Sequence, residues 1–213
     1  MSPGSFKEGR ATDYESFRIS AQKGLEDARV ALASYTGKEL ELATARMTFL
    51  DLREIPLLAG DPEAPVLASY CSFEGEAEGQ LLMLFRPDTA ERLVTFLAPE
   101  VFEGIAPHEI MPLMDSLILE VANVVGSCLI NSIADGAGIV ISPSPPVLVR
   151  DMAGAVLGSA LTYSGLSDAV YVVHIQYSLS GGKAMFEIAF LPKVSSEHNF
   201  FAAGDGIGEC TTT

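Results

Sequence analysis

Three polar residues recur at helical spacing in an apolar stretch of the chain, and their types suit them to chemistry. Ser116, Glu120 and Asn123 are four and three positions apart, so a helix turning by about 100° per residue places them on one side. Apolar residues occupy most other positions from 113 to 134. This balance predicts a mostly buried helix with one uncovered polar stripe. The full stripe consists of Ser116, Glu120, Asn123, Ser127 and Asn131.

Glu120 and Asn123 form a pair whose chemistry requires no covalent nucleophile. A carboxamide has one acceptor oxygen and two donor hydrogens, so it can orient a water molecule without acting as a base. A carboxylate one turn away can contact a cation. The alternative is that these residues merely fill a solvated stripe, which is the usual explanation for an arbitrary helix. The functional interpretation is favoured because Asn is a mediocre helix former and Glu is rarely placed on so apolar a helix without a partner.

The elements that must position this helix occur twice along the chain. Apolar periodicity and turn residues mark both copies, and the order of elements is the same in each. The first copy consists of a helix over 18–36, a strand over 39–49, the segment 51–60 and hairpin strands over 66–74 and 80–86. The second consists of a helix over 113–134, a strand over 139–142, the segment 149–158 and hairpin strands over 169–179 and 184–191. A helix over 89–97 connects them.

Two copies of one unit predict a shared sheet, because each copy has strands that need partners and a helix that needs a surface to cover. The predicted fold class is α/β (α+β), a pseudo-two-fold symmetric single domain with long helices packed on one sheet. The domain is expected over 14–198, with repeat one at about 15–98 and repeat two at about 110–192. The tails, 1–13 and 199–213, are expected to be loosely ordered.

Composition removes several classes of function. The chain has 213 residues, 48% hydrophobic and 19% charged, which is typical of a globular protein with a sizeable core. A net charge of −15 and a pI near 4.4 argue against nucleic acid or an anionic membrane, because both attract a clustered positive field. Three widely spaced cysteines indicate reduced thiols. With no apolar signal region and no run of about 18 apolar residues, we expect a cytoplasmic protein without membrane insertion.

Other kinds of catalytic or metal site lack the residues they need. The histidines, His108, His174 and His198, are scattered without zinc-binding spacing, and no carboxylate cluster has the spacing of a calcium loop. Gly126-Ser127-Cys128 is not a nucleophile elbow, and Cys128 falls on the apolar side of its helix, where we expect a buried structural thiol. We therefore expect this chain to bind no metal or cofactor itself.

Short stretches of the second half resemble a known family, the CheC, CheX and FliY phosphatases of chemotaxis response regulators, and CheC most closely. These stretches are Glu120-Val-Ala-Asn123, Ser142-Pro-Ser-Pro-Pro146 and Asp151-Met-Ala-Gly154. The family pattern is Asp or Ser, three residues, Glu, two residues, Asn, twenty-two residues and Pro. Every position is matched by Ser116, Glu120, Asn123 and Pro146. The resemblance extends from about residue 15 to 192.

The resemblance implies a hydrolase that dephosphorylates a phosphorylated CheY-type response regulator of a two-component system. In that scheme Asn123 enters the regulator's active site and orients the attacking water, and Glu120 pairs with a lysine of the regulator. Ser116 adds a hydrogen bond, and Pro146 shapes the loop beside the helix. Mg²⁺ is supplied in the active site of the partner regulator, so no cofactor is bound by this chain.

The same pattern is degenerate in the first half. Aligning the ends of the two long helices places Ile19 and Gln22 where Glu and Asn are required, and Ala45 where Pro is required. A shift by one residue gives Ser20 and Lys23, which fit no better. We therefore expect one active site, in the second half.

The main alternative is a non-catalytic interaction protein of the same fold, either FliM-like or an adaptor that binds CheD. FliM shares this fold without the phosphatase residues, and some CheC relatives bind the deamidase CheD. The intact four-residue pattern favours catalysis on a phosphorylated receiver domain, with CheD as a further candidate partner. The complete double repeat favours a monomer over a dimer.

Overall fold

A long helix, a following strand, a hairpin and a shorter helix occur in this order in each half of the described chain. The computed structural model describes residues 9–39, 41–51, 60–164, 169–179 and 182–201. The first half contains α1 (Gly9–Thr36), β1 (Glu41–Asp51), β2 (Pro65–Gly75), β3 (Gly79–Phe85) and α2 (Pro87–Leu97). The second half contains α3 (Pro107–Ala137), β4 (Ile141–Pro143), β5 (Val147–Met152), α4 (Ala153–Ser164), β6 (Ala169–Leu179), β7 (Gly182–Pro192) and α5 (Glu197–Phe201).

The seven strands that the structure describes belong to one antiparallel sheet, in the order β1-β6-β7-β3-β2-β4, with β5 also paired to β2. This order is symmetric about the β7–β3 pair. Each half gives its first strand to the hairpin of the other half, because β1 pairs with β6 while β4 and β5 pair with β2. The predicted shared sheet with pseudo-two-fold symmetry is therefore confirmed.

The sheet separates two layers of helices. Alternate side chains of a strand point to opposite faces, so Leu67 and Phe73 of β2 join the larger core cluster beneath α1, α2, α3 and α5. Val66 and Ala68 join the smaller cluster beneath α4. The long helices thus lie together on one face, and α3 is held against the sheet along most of its length.

The two long helices pack in direct contact with each other. A Cβ at Gly24 of α1 would lie 2.8 Å from both the carbonyl oxygen of Cys128 and the Cα of Leu129 on α3. The Ser132 hydroxyl of α3 donates to the carbonyl of Ser20 at 2.8 Å. These contacts fix how far α3 can rotate or shift, and therefore which of its faces remains exposed.

Both long helices begin earlier than the sequence predicts. Helix α3 begins at Pro107 instead of residue 113, because a proline at the first helical position loses no hydrogen bond and the Glu109 carboxylate accepts the amide hydrogen of Ala106 at 3.4 Å. Pro112 lies inside the helix, where it removes one internal hydrogen bond without ending it. Helix α1 begins at Gly9, within the predicted loose tail. Residues 1–8 lie outside the described part of the chain.

The predicted loose tail from residue 199 is wrong as far as Phe201. Phe200 of α5 is buried, and its ring lies edge-on to those of Phe73 at 5.9 Å and Phe190 at 5.1 Å. Asn199 donates to the carbonyl of Glu76. The start of that tail therefore belongs to the core, and residues 202–213 lie outside the described part.

Strand β5 and helix α4 were not predicted from the sequence as elements. The sequence only matched 149–158 to 51–60, and residues 52–59 of that first segment lie outside the described part of the chain. The predicted hairpins and the helix over 89–97 agree with the structure to within two residues.

Helix α3 is apolar enough to raise the question of a membrane span. The stretch His108–Ala137 has a mean hydropathy of 1.7 in its most apolar window, and 56% of that window is buried. A core helix of a soluble protein passes the same test of length and composition. Its apolar side chains pack against α1 and the sheet, which accounts for its composition.

Candidate functional site

The polar stripe of α3 is exposed along an otherwise buried helix. Ser116, Glu120 and Asn123 are all exposed. The residues that alternate with them, Ile118, Val121, Ala122, Val125, Leu129 and Ile130, are at most 4% exposed. The predicted stripe and its buried surroundings are therefore present. A helix anchored on this many sides fixes the backbone from which these exposed side chains project.

Glu120 and Asn123 are available to another molecule. Within the described part of the chain, neither side chain makes a hydrogen bond or an ion pair with another residue. The Ser116 hydroxyl donates to the carbonyl of Pro112 at 3.0 Å, so its hydrogen is used while its lone pairs can still accept. A carboxylate and a carboxamide thus face outward side by side.

Pro146 lies in a bulge of the edge strands beside α3. The three residues 144–146 stand opposite two residues of β2, since Phe73 pairs with Pro143 and Tyr70 with Val147. Pro145 and Pro146 have no amide hydrogen and cannot donate backbone hydrogen bonds to β2. The Ser144 hydroxyl provides a substitute contact, because it accepts the amide hydrogen of Ser72 at 3.1 Å. Helix α3 contacts both β4 and β5. The loop-shaping role of Pro146 stays a prediction.

An ion pair not predicted from the sequence flanks the stripe. Arg150 of β5 donates to the carboxylate of Asp115, which directly precedes Ser116 on α3. Both side chains are about a third exposed, so the pair contributes little stability. It does tie α3 to the edge of the sheet near the bulge. No sequence signal links these residues, because they approach only through the register of β5 on β2.

The equivalent face of α1 carries different chemistry. Both long helices are followed by a glycine with left-handed backbone, Gly37 at φ 67° and Gly138 at φ 68°. When these two glycines are aligned, Ile19 is equivalent to Glu120 and Gln22 to Asn123. Ile19 is 55% exposed. The Gln22 carbonyl oxygen accepts a hydrogen bond from Arg18 at 2.9 Å. This face lacks the carboxylate, and its carboxamide is already engaged. The side chain of Ala45 lies outside the described part.

Neither described thiol is set up as a nucleophile. Burial raises the pKa of Cys71 to about 11, although its hydrogen bond to Ser144 opposes this. Burial and the nearby Asp27 carboxylate raise the pKa of Cys128, which is half-buried and packs against the larger core cluster. Both thiols stay protonated at neutral pH. Within the described ranges, no group of three or more His, Cys, Asp and Glu residues could hold a metal ion.

Similar solved structures come from chemotaxis and flagellar proteins. FliY from Thermotoga maritima is 15% identical and matches 95% of this chain and 98% of its own, with a TM-score of 0.62. A chain of the FliG–FliM complex from H. pylori is 12% identical over 90% of this chain and 98% of its own, with a TM-score of 0.60.

A third similar chain belongs to the CheX–CheY–BeF3–Mg²⁺ complex from Borrelia burgdorferi, which is 14% identical over 81% of this chain and 97% of its own, with a TM-score of 0.50. No family model matches the sequence. At these identities the similarity establishes the fold. The chain has the CheC/CheX/FliY fold that the sequence predicted.

Proposed function

We propose that this protein is a cytoplasmic phosphatase of a phosphorylated CheY-type receiver domain in a chemotaxis pathway. The observation that carries the proposal is the exposed pair of Glu120 and Asn123, which have no partner among the described residues and sit on a helix fixed by the core. Asn123 orients the attacking water, and Glu120 docks to a lysine of the receiver. Ser116 and Pro146 support the pair.

The chemistry requires positioning and no covalent intermediate on this chain. The Asn123 carboxamide can hold one water in line with the phosphorus of the receiver's aspartyl phosphate through its acceptor oxygen and donor hydrogens. As the water oxygen bonds to phosphorus, the bond to the aspartyl oxygen breaks, which yields phosphate and a free carboxylate. Mg²⁺ belongs to the receiver in this scheme and offsets charge on the phosphoryl oxygens there.

Glu120 orients the receiver domain relative to this protein. A charge-assisted contact between its carboxylate and a receiver lysine fixes the register of the two proteins. The net charge of −15 gives no long-range attraction toward an acidic phosphorylation pocket, so binding depends on local fit. We therefore expect a weak and transient complex between monomers.

A binding protein without catalysis is the second candidate, because the FliG–FliM chain has the same fold with a TM-score of 0.60. In that case Glu120 and Asn123 would contact a flagellar or CheD-type partner without turnover. The two candidates differ in one measurable property, the loss of phosphate from a phosphorylated receiver.

The deciding experiment measures that loss for receiver domains from the same genome, phosphorylated in the presence of Mg²⁺. We expect the wild type to accelerate it, Asn123→Ala to lose about 100-fold through misplacement of the water, and Glu120→Ala to lose about tenfold through weaker docking. Gln22→Ala, at the equivalent place on α1, is the matched control and should match the wild type. If the wild type accelerates no receiver, the binding alternative replaces the phosphatase.

A further inference from the structure

A groove beside the N-terminal part of α3 continues the polar stripe. It has a volume of about 530 Å³ and is widely open to solvent. Its apolar lining comes from Ile105, Pro112 and Leu113. The remaining lining residues are His108, Glu109 and Ser116. We call this depression the α3 groove.

The α3 groove and the proposed site share one face of the helix. At about 100° per residue, Glu109, Pro112 and Leu113 fall within the same arc of about 100° that contains Ser116, Glu120 and Asn123. Leu113 lies about 10 Å along the axis from Glu120 at 1.5 Å per residue. An interface of standard size, about 800 Å² per partner, is about 30 Å across. A protein docked on Glu120 and Asn123 therefore also covers the groove.

The groove is not filled from within the described part of the chain. Leu113 and Ile105 are half-buried, and neither belongs to the two core clusters. By contrast, Met114 and Leu117, on the inner side of the same helix, pack against the larger cluster. Leu113 therefore lies outside both core clusters, and the exposed part of its apolar side chain can be buried by a partner.

The charges around the groove select the partner's surface. Glu109, which lines the groove, is exposed, and Glu120 is also exposed on the same face of α3. No Lys or Arg is among the lining residues that the structure describes. An apolar floor with an acidic rim fits an apolar side chain flanked by cationic groups.

We propose that the α3 groove is a second docking point for the receiver, taking one aliphatic or aromatic side chain flanked by Lys or Arg. This inference rests on the proposed function, since it gives the receiver a second contact on the face of Glu120 and Asn123. The groove determines affinity and choice of receiver, whereas Asn123 determines the rate of hydrolysis. Binding strength and turnover are therefore separable by mutation.

The test measures binding of receiver domains from the same genome, each loaded with beryllofluoride and Mg²⁺, together with kcat and KM for the phosphorylated forms. Leu113→Ser should raise Kd and KM about tenfold through lost apolar burial while kcat stays within twofold. Glu109→Gln should raise Kd two- to threefold and flatten its dependence on salt. Asn123→Ala should lower kcat with Kd unchanged.

Met111→Ser is the matched control, because Met111 is an apolar residue of the same helical segment, 50% exposed, that does not line the groove. Its Kd should equal that of the wild type. Equal Kd values for Leu113→Ser and wild type would overturn the inference, as would the absence of binding to every receiver. Binding that depends on Leu113 without any phosphatase activity would overturn the proposed function alone.

Discussion

The outer faces of α1 and α3 show how two copies of one unit can differ in chemistry while sharing a fold. On α1, Arg18 bonds to both Glu15 and Gln22, and its hydrogen bond holds the pKa of Glu15 below the usual value. On α3, Glu120 and Asn123 have no such partner among the described residues. The first face satisfies its own polar groups, whereas the second leaves them for another molecule.

The strands that follow these helices diverge in the same way. Strand β1 carries one extra residue at Ala43, since Leu42 and Thr44 pair with neighbouring residues of β6. The equivalent extra residue in the second half falls at 144–146, between β4 and β5. The bulge is thus common to both halves, but only the second contains prolines. The backbone plan is retained, and the differences concentrate around the proposed site.

Gly24→Val gives the largest expected effect on stability. It tests whether α1 can carry the buried residue that α3 has at the equivalent position. The equivalent residue of α3 is Val125, which is buried. A Cβ at Gly24 would lie 2.8 Å from backbone atoms of α3, so the helices must separate. We expect a loss of about 3 kcal/mol in the free energy of unfolding, measured by urea denaturation.

The control for that substitution is Gly158→Ala on α4, where an added Cβ meets nothing within 4 Å. It should raise the free energy of unfolding by about 0.5–1 kcal/mol, because alanine restricts the unfolded chain and favours helix. An unchanged urea midpoint for Gly24→Val would show that α1 and α3 are not locked at this crossing.

The next largest expected effect is a loss of folding stability at alkaline pH, caused by the Cys71 thiol beside the second-half bulge. The Cys71 thiol donates to the carbonyl of Ser144 at 3.1 Å, and burial raises its pKa to about 11. A raised folded-state pKa means that the stabilisation is complete below about pH 9 and is lost as the pH rises toward 11. Between these values we expect the wild type to lose about 2 kcal/mol more than Cys71→Ser.

That comparison follows the free energy of unfolding against pH under reducing conditions. Serine keeps a hydroxyl donor but does not titrate in this range. Parallel pH profiles for the two proteins would show that the thiol is solvated instead of buried.

Ser144→Ala gives the smallest expected effect on stability. It places alanine at position 144, which is the residue type found at the equivalent position of the first-half bulge, Ala43. The substitution removes the acceptor for the Ser72 amide and the contact between the Ser72 and Ser144 hydroxyls at 2.9 Å. We expect a loss of about 1 kcal/mol and a modest fall in kcat/KM as Pro146 shifts. Ser142→Ala, exposed on β4, is the control and should change neither quantity. Equal stabilities would mean that the bulge needs no side-chain support.

The repeat, the shared sheet and the polar stripe could be predicted because each rests on local periodicity. The start of α3 at Pro107 could not be predicted, because Pro112 is a local signal against helix and the structure nevertheless continues the helix through it. The Asp115–Arg150 pair and the burial of Phe200 depend on contacts between residues distant in sequence. Assignment of Glu120 and Asn123 as a catalytic pair remains a prediction for the phosphate-release assay.

The exchange of first strands between the halves also constrains how the chain folds during synthesis. Glu41 of β1 pairs with Ser178 of β6, so the first half cannot complete its part of the sheet until the chain has been synthesised at least as far as residue 178. Until then β1 remains an unpaired edge open to other chains. Such distant pairings make folding slow and all-or-none, and neither half would be stable if expressed alone.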